Sequence, residues 1–259
     1  MTFPEILNST TAREGGGFTA HVPKSWLQGR TAFGGLSAAL CLEAAMRSEP
    51  DLPPLRSAQI AFIGPVVGDV EVETRLLRRG RTAAFIEATL YCDGKPSTRG
   101  LFVFMIRIDS EIDLDQTMKA DPIPVEEAVP VAKHPDPNFF VNNFDLRHSV
   151  PKSDERKPEI QRWCCLRERE GLHPAVELMA IGDALPPAAM MLAKEFGPIS
   201  TVNWMVNFLT DQPATKDGWW LTRAEADYAR NGTSSQAMQV WNADGQLVMS
   251  GFQSVAIFV

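Results

Sequence analysis

A carboxylate stands where helix physics disfavours one: Asp183, in the last turn of a helical stretch expected from Pro174 to Leu185. Partial negative charge gathers at a helix C-terminus, where Lys or Arg is the usual choice. The stretch is apolar nearly all round, which marks a buried element, and burial favours the protonated form of a carboxyl group. An acid raised in this way suits proton abstraction near neutral pH. Downstream, Thr201 to Phe208 alternate strictly. That spacing predicts a strand with Val202, Trp204, Val206 and Phe208 on one face and Thr201, Asn203, Met205 and Asn207 on the other. A buried acid followed by a strand with a polar face is where the sequence places its chemistry, because local rules fail most often at functional sites.

The elements that must hold these residues are legible from their ends. Pro174 suits a first helical position, Glu177 suits the positive N-terminal end, and Pro186-Pro187 force a stop. A second stretch, Leu36 to Arg47, also lacks a solvent face, with Glu43 its single charge before a basic end. Strands are expected at Gly17–Val22, Ser57–Ile63, Asp69–Leu77, Thr82–Cys92 and Thr98–Ile108, and again at Arg162–Arg167, Thr201–Leu209, Trp219–Ala229, Ser234–Asn242 and Leu247–Phe258. Asp93-Gly94 is a strong hairpin signal. Landmarks recur: Phe62 with Phe208, Arg79-Gly80 with Arg230-Asn231, and Asp93-Gly94 with Asp244-Gly245, at offsets of 146, 151 and 151 residues. Such spacing points to two copies of one unit, a buried helix followed by an antiparallel sheet.

The expected fold is therefore α+β, a double hotdog in which two antiparallel β-sheets each wrap a central α-helix. Residues 1–108 form the first hotdog, 109–160 a connection, and 161–259 the second. The connection holds seven prolines and twelve acids against six Lys and Arg. It reads as a surface segment with a strand or two of its own, around Phe139–Leu146, whose phenylalanines call for burial.

Composition excludes several classes. A net charge of −7 and a pI near 5.2 argue against nucleic acid and anionic membrane surfaces. No apolar run approaches the length of a membrane span, and the first residues lack the pattern of a signal peptide. Cys41, Cys92, Cys164 and Cys165 show no metal-ligand spacing, so reduced thiols in a cytoplasmic protein are expected, with no metal and no cofactor.

Several segments in order carry a family resemblance: Trp26…Gly29…Gly34-Gly35, Arg78-Arg79-Gly80-Arg81, Asp183-Ala-Leu-Pro-Pro187, Thr201-Val-Asn203, and Gly245-Gln-Leu-Val-Met-Ser-Gly-Phe-Gln253. Together they resemble the acyl-CoA thioesterase II family of double hotdogs, over nearly the whole chain. The resemblance implies a catalytic trio of Asp183, Thr201 and Gln253 that activates water against an acyl-CoA thioester, in a protein that pairs into a dimer. Relatives often carry Asp where this chain has Asn203, which bears on substrate preference. Gly34 and Gly35 are candidates for meeting the oxyanion, though tight packing at the helix start is the plainer reading. Arg81, with its neighbours, is either a solvated hairpin or a contact for coenzyme A phosphates.

Taken alone, Asp183 also reads as a turn residue bonding nearby backbone; the family pattern favours catalysis. Matching the repeats places Leu55 opposite Thr201 and Phe102 opposite Gln253. One half then looks catalytic and the other structural, giving one site per chain. A second reading is a non-catalytic acyl-thioester binding or assembly module of the same fold.

Overall fold

A computed structural model describes residues 1–195 and 197–258. A short helix α1 (Phe3–Asn8) leads into strands β1 (Thr11–Ala12) and β2 (Phe18–Val22). A small hairpin, β3 (Leu27–Gln28) and β4 (Thr31–Ala32), precedes the long helix α2 (Gly34–Ser48). Four strands follow: β5 (Leu55–Phe62), β6 (Gly68–Arg79), β7 (Ala83–Cys92) and β8 (Lys95–Met105). After the connection come β9 (Phe144–His148), β10 (Glu159–Leu166) and helix α3 (Pro174–Gly182). The chain finishes with β11 (Ile199–Phe208), β12 (Trp220–Arg230), β13 (Thr233–Trp241) and β14 (Leu247–Ile257).

The strands form one antiparallel sheet of twelve, in the order β1-β2-β6-β7-β8-β5-β11-β14-β13-β12-β10-β9. The expectation of two separate sheets is corrected here. β5 and β11 pair from Asn203 opposite Ala61 to Asn207 opposite Ser57. Each would otherwise be an exposed edge with unpaired N–H and C=O groups, and joining them removes both edges. The order reads as a palindrome about that junction, β5 matching β11, β8 matching β14, β7 matching β13 and β6 matching β12.

The duplication extends to irregularities. Register slips by one residue at Arg56 in β5 and at Val202 in β11, at Leu77 in β6 and Asp227 in β12, and at Ser97 in β8 and Val248 in β14. Bulges are designed features of a strand rather than defects, so three recurring at matched places argue strongly for one unit used twice.

Both helices lie on the same face of the sheet and against each other, α2 over β6, β7 and β8, α3 over β10, β12 and β13. Their mutual contact merges the two expected cores into one, which includes Leu36, Leu40, Phe102, Leu178, Ile181, Trp204 and Phe208. α2 is rich in the strong helix formers Ala and Leu and carries a Glu43–Arg47 pair at 2.7 Å one turn apart. α3 begins as expected, with Pro174 in its first turn and the His173 ring accepting from the Ala175 N–H. It stops earlier than expected: Gly182 is its last residue and Asp183 its cap. Gly182 is required for packing, since a Cβ there would fall 2.2 Å from Met249 Cε and 3.0 Å from the Trp204 ring.

The connection is ordered against the opposite face of the sheet. Trp163 donates to the Ile123 carbonyl at 2.9 Å and Trp241 to that of Met118 at 3.0 Å, around an apolar cluster with Leu221 and Leu247. The strand expected at Phe139–Leu146 begins later, as a 3-10 turn (Phe140–Asn143) followed by β9. Phe140 and Phe144 are buried there, and Phe140 stacks on Phe33 at 4.3 Å. Among the described residues, no helix is long and apolar enough to cross a membrane.

Candidate active site

Asp183 leaves the C-terminus of α3 at φ −104° and ψ 8° and turns its carboxylate towards the start of α2. A Cβ on Gly34 would lie 2.7 Å from Asp183 Oδ2, so a side chain at that position would occupy the carboxylate's place. The Gly35 backbone N–H donates to Asp183. The acid thus stands between the negative end of one helix and the positive end of another, and the second offsets the first. Burial dominates and pushes the carboxyl up to about 7, while donors from Gln253 and Gly35 pull it back only in part. Gly35 has a packing reason as well, because a Cβ there would meet the Ala180 carbonyl oxygen at 2.7 Å.

Thr201 reaches the same place through the bulge. Strict alternation would put it on the face of Asn203 and away from Trp204. In the structure Thr201 stands opposite Val255 and Asn203 opposite Ser254, leaving Val202 as the extra residue. Residues directly opposed in an antiparallel pair share a face, and Val255 is buried. Thr201 therefore faces inward with Trp204, while Val202, expected inside, is exposed.

Gln253 stands opposite Trp204 on β11 and opposite Gln236 on β13. Its Nε2 donates to Asp183 Oδ1 at 2.6 Å. Asp183 and Thr201 open into a cleft of about 320 Å³, walled also by Gln28, Thr31, Ser37, Phe62 and Thr98. Among the described residues, Asp183 is the only ionisable side chain lining it. The cysteines take no part: all four are free and buried, and burial pushes the thiols of Cys41 and Cys165 up to about 12 and about 11.

The structure thus gathers Asp183, Thr201, Gln253, Gly34 and Gly35, and separates two other candidates from them. Asn203 is exposed on the outer face of β11. Arg81 lies beyond the far end of α2: its hairpin neighbour Arg79 bonds the carbonyls of Pro50 and Asp51, which follow that helix. A helix of fifteen residues is about 22 Å long, so Arg81 is about that far from Gly34. The residue missed is Gln236, fully buried and bonded to Gln253 Oε1 at 2.8 Å. The repeat comparison could have found it. Ile86 opposes Phe102 in the first half as Gln236 opposes Gln253 in the second.

Residues 121–257 match the acyl-CoA thioesterase C-terminal domain and residues 22–105 the N-terminal domain. The chain belongs to the acyl-CoA thioesterase family. No curated protein matches the chain. Among solved structures it is similar to a hot dog fold protein of unknown function from Alicyclobacillus acidocaldarius, with TM-score 0.84 and 24% identity over 99% of this chain and 98% of that one. A putative thioesterase II from Thermobifida fusca superimposes with TM-score 0.84 at 20% identity, over 100% and 98% of the two chains. An acyl-CoA thioesterase II from Mycobacterium marinum does so with TM-score 0.73 at 16% identity, over 98% and 97%. At these identities the likeness speaks for the fold, which is the hotdog fold.

Proposed function

We propose that this acyl-CoA thioesterase family member hydrolyses an acyl-CoA thioester to the free acid and coenzyme A, with Asp183 as general base. Water held between Thr201 and Gln253 attacks the thioester carbonyl while Asp183 takes its proton. The tetrahedral intermediate carries its negative charge on the former carbonyl oxygen, which the N-terminus of α2 stabilises. Collapse breaks the carbon–sulfur bond, and the thiolate of coenzyme A recovers the proton from Asp183. The leaving thiol is a good one, so no covalent enzyme intermediate is needed.

The observation that carries this reading is the 2.6 Å bond from Gln253 to a carboxyl group raised to about 7. From that bond Asp183 opens into a cleft that Thr201 also lines. In place of Arg81, Arg30 is a cation beside the cleft. It is exposed in the β3–β4 turn between Gln28 and Thr31, both of which line the wall, and it is suited to the phosphates of coenzyme A. The competing reading is a module that binds acyl thioesters without turnover, and the departure at Asn203 is the feature that would favour it. That side chain points away from the cleft, and no observation in the site favours the alternative.

The test is release of free thiol from acyl-CoA substrates of graded chain length. Turnover is expected for part of the series and is expected to fall by about 10²–10⁴-fold in Asp183→Asn. Absence of release at every length, from folded protein, overturns the reading.

A further inference from the structure

The contact between Gln253 and Asp183 continues inward through a second amide. Gln253 Oε1 accepts from Gln236 Nε2 at 2.8 Å, and Gln236 Oε1 accepts from the Ala188 backbone N–H at 2.8 Å. The remaining hydrogen of Gln236 Nε2 points to Met238 Sδ at 3.2 Å. Gln236 is 0% and Gln253 3% exposed, so neither amide can exchange these partners for bulk water.

The chain of bonds has a direction, and a backbone group sets it. The Ala188 N–H can only donate, so the Gln236 amide must present oxygen to it and NH₂ to Gln253. Gln253 must then present its own oxygen inward and its NH₂ to Asp183. Reversing either amide would set acceptor against acceptor or donor against donor in a buried place, where an unmet polar group is costly. Ala188 opens the 3-10 turn Ala188–Leu192, directly after Pro187. The segment that carries the chain away from Asp183 thus returns to anchor the relay. In the first repeat the matching positions hold Ile86, Phe102 and Leu55, so the relay and the site are missing there together.

We propose that Gln236 is a positioning residue for the hydrolysis: it holds the Gln253 amide with its NH₂ towards Asp183 and so keeps the carboxylate supplied with a donor. This rests on the reading of Asp183 as the base. Buried without that donor, the acid would hold its proton further into the alkaline range and be available as a base for less of the neutral range. The Gly35 N–H is the other donor to the acid, and no charged side chain among the described residues takes the place of Gln253. Gly34, Gly35 and Gln253 adjoin Asp183, and Ser37, Thr201, Thr31 and Thr98 share its cleft, without a charge among them.

The experiment uses Gln236→Met, which keeps length and apolar bulk but leaves the Gln253 amide free to turn. The Asp183 carboxyl is followed by its ¹³C shift across pH, beside the pH profile of kcat/KM for an acyl-CoA. The Asp183 midpoint is expected to rise by about one pH unit, the worth of one hydrogen bond to a charged group. The acid limb of the rate profile should move with it while KM stays level. Val240→Ala, a packing change on the same strand outside the chain of bonds, should move neither. An Asp183 midpoint unchanged in Gln236→Met overturns the proposal. If the wild-type rate limb fails to follow the Asp183 titration, the assignment of the base fails instead, and the shift between wild type and variant still decides on Gln236. A measurement on the wild-type protein needs no variant: the side-chain NH₂ resonances of Gln253 and Gln236 should both shift through the Asp183 midpoint. A Gln236 amide indifferent to that midpoint also overturns the proposal.

Discussion

Gln253 and Asp183, seventy positions apart in the chain, meet at 2.6 Å, and this one bond relates the chain's last strand, in the interior of the sheet, to the cap of α3. Burial raises the Asp183 carboxyl to about 7 against this donor. The base form therefore grows in as pH rises, and kcat/KM is expected to climb through an acid limb near pH 7 before levelling. The measurement is the pH profile with a short acyl-CoA. A flat profile between pH 5 and 8 would remove Asp183 from the mechanism.

The same shift has a consequence for stability, with its sign set by linkage. A carboxyl group whose folded pKa lies above its unfolded value binds its proton more tightly when folded. The contribution is fully present below about pH 4, the unfolded value, and is lost as pH rises through about 7. Wild type should therefore lose thermal stability over that window relative to Asp183→Asn, which has no proton to lose. Parallel curves of Tm against pH for the two proteins would contradict this.

Asp183→Asn should lower kcat by about 10²–10⁴-fold, the usual worth of general-base assistance, with little change in KM. Thr201→Ala and Gln253→Ala should each cost less, because they place water rather than accept its proton. The losses should fall short of adding in a double variant, since all three groups act on one water. Steady-state kinetics on protein with native circular dichroism decides it.

Phe102 and Leu55 occupy the places of Gln253 and Thr201 in the first repeat and are 0% and 6% exposed. Truncating either to Ala should cost about 2–5 kcal/mol of stability while the surviving folded protein keeps its turnover. Denaturant unfolding beside thiol release reads both. Loss of turnover in folded Phe102→Ala, matching that of a Gln253 variant, would place chemistry in the wrong half.

Because Asn203 points outward and Arg81 lies at the far end of α2, Asn203→Asp and Arg81→Ala should leave kcat/KM unaltered. Arg30→Ala should raise KM for an acyl-CoA and do so most at low salt, where screening is weakest. Reversal of this ranking would restore the hairpin at Arg81 as the phosphate contact.

Most of the elements, the repeat and a buried acid at the end of α3 can be read from the sequence alone. Periodicity and punctuation are local: an apolar helix bounded by Pro174 and Pro186-Pro187, or a hairpin at Asp93-Gly94 with both residues at positive φ, needs no distant partner to be read. Asp183 was legible because it breaks a local rule. Tertiary structure decided what depends on register and on meetings across the chain. The bulge at Val202 turns Thr201 inward, and no alternation pattern reveals it, since one inserted residue reverses every face assignment before it. Pairing of β5 with β11 made one sheet of two, because an edge strand's unpaired backbone has no signature in its side chains. Gln236 became part of the site only when β13 was laid beside β14 and the Ala188 turn was folded back over it. An amide in a strand acquires a direction from the donor it meets, and that donor lies 48 residues away.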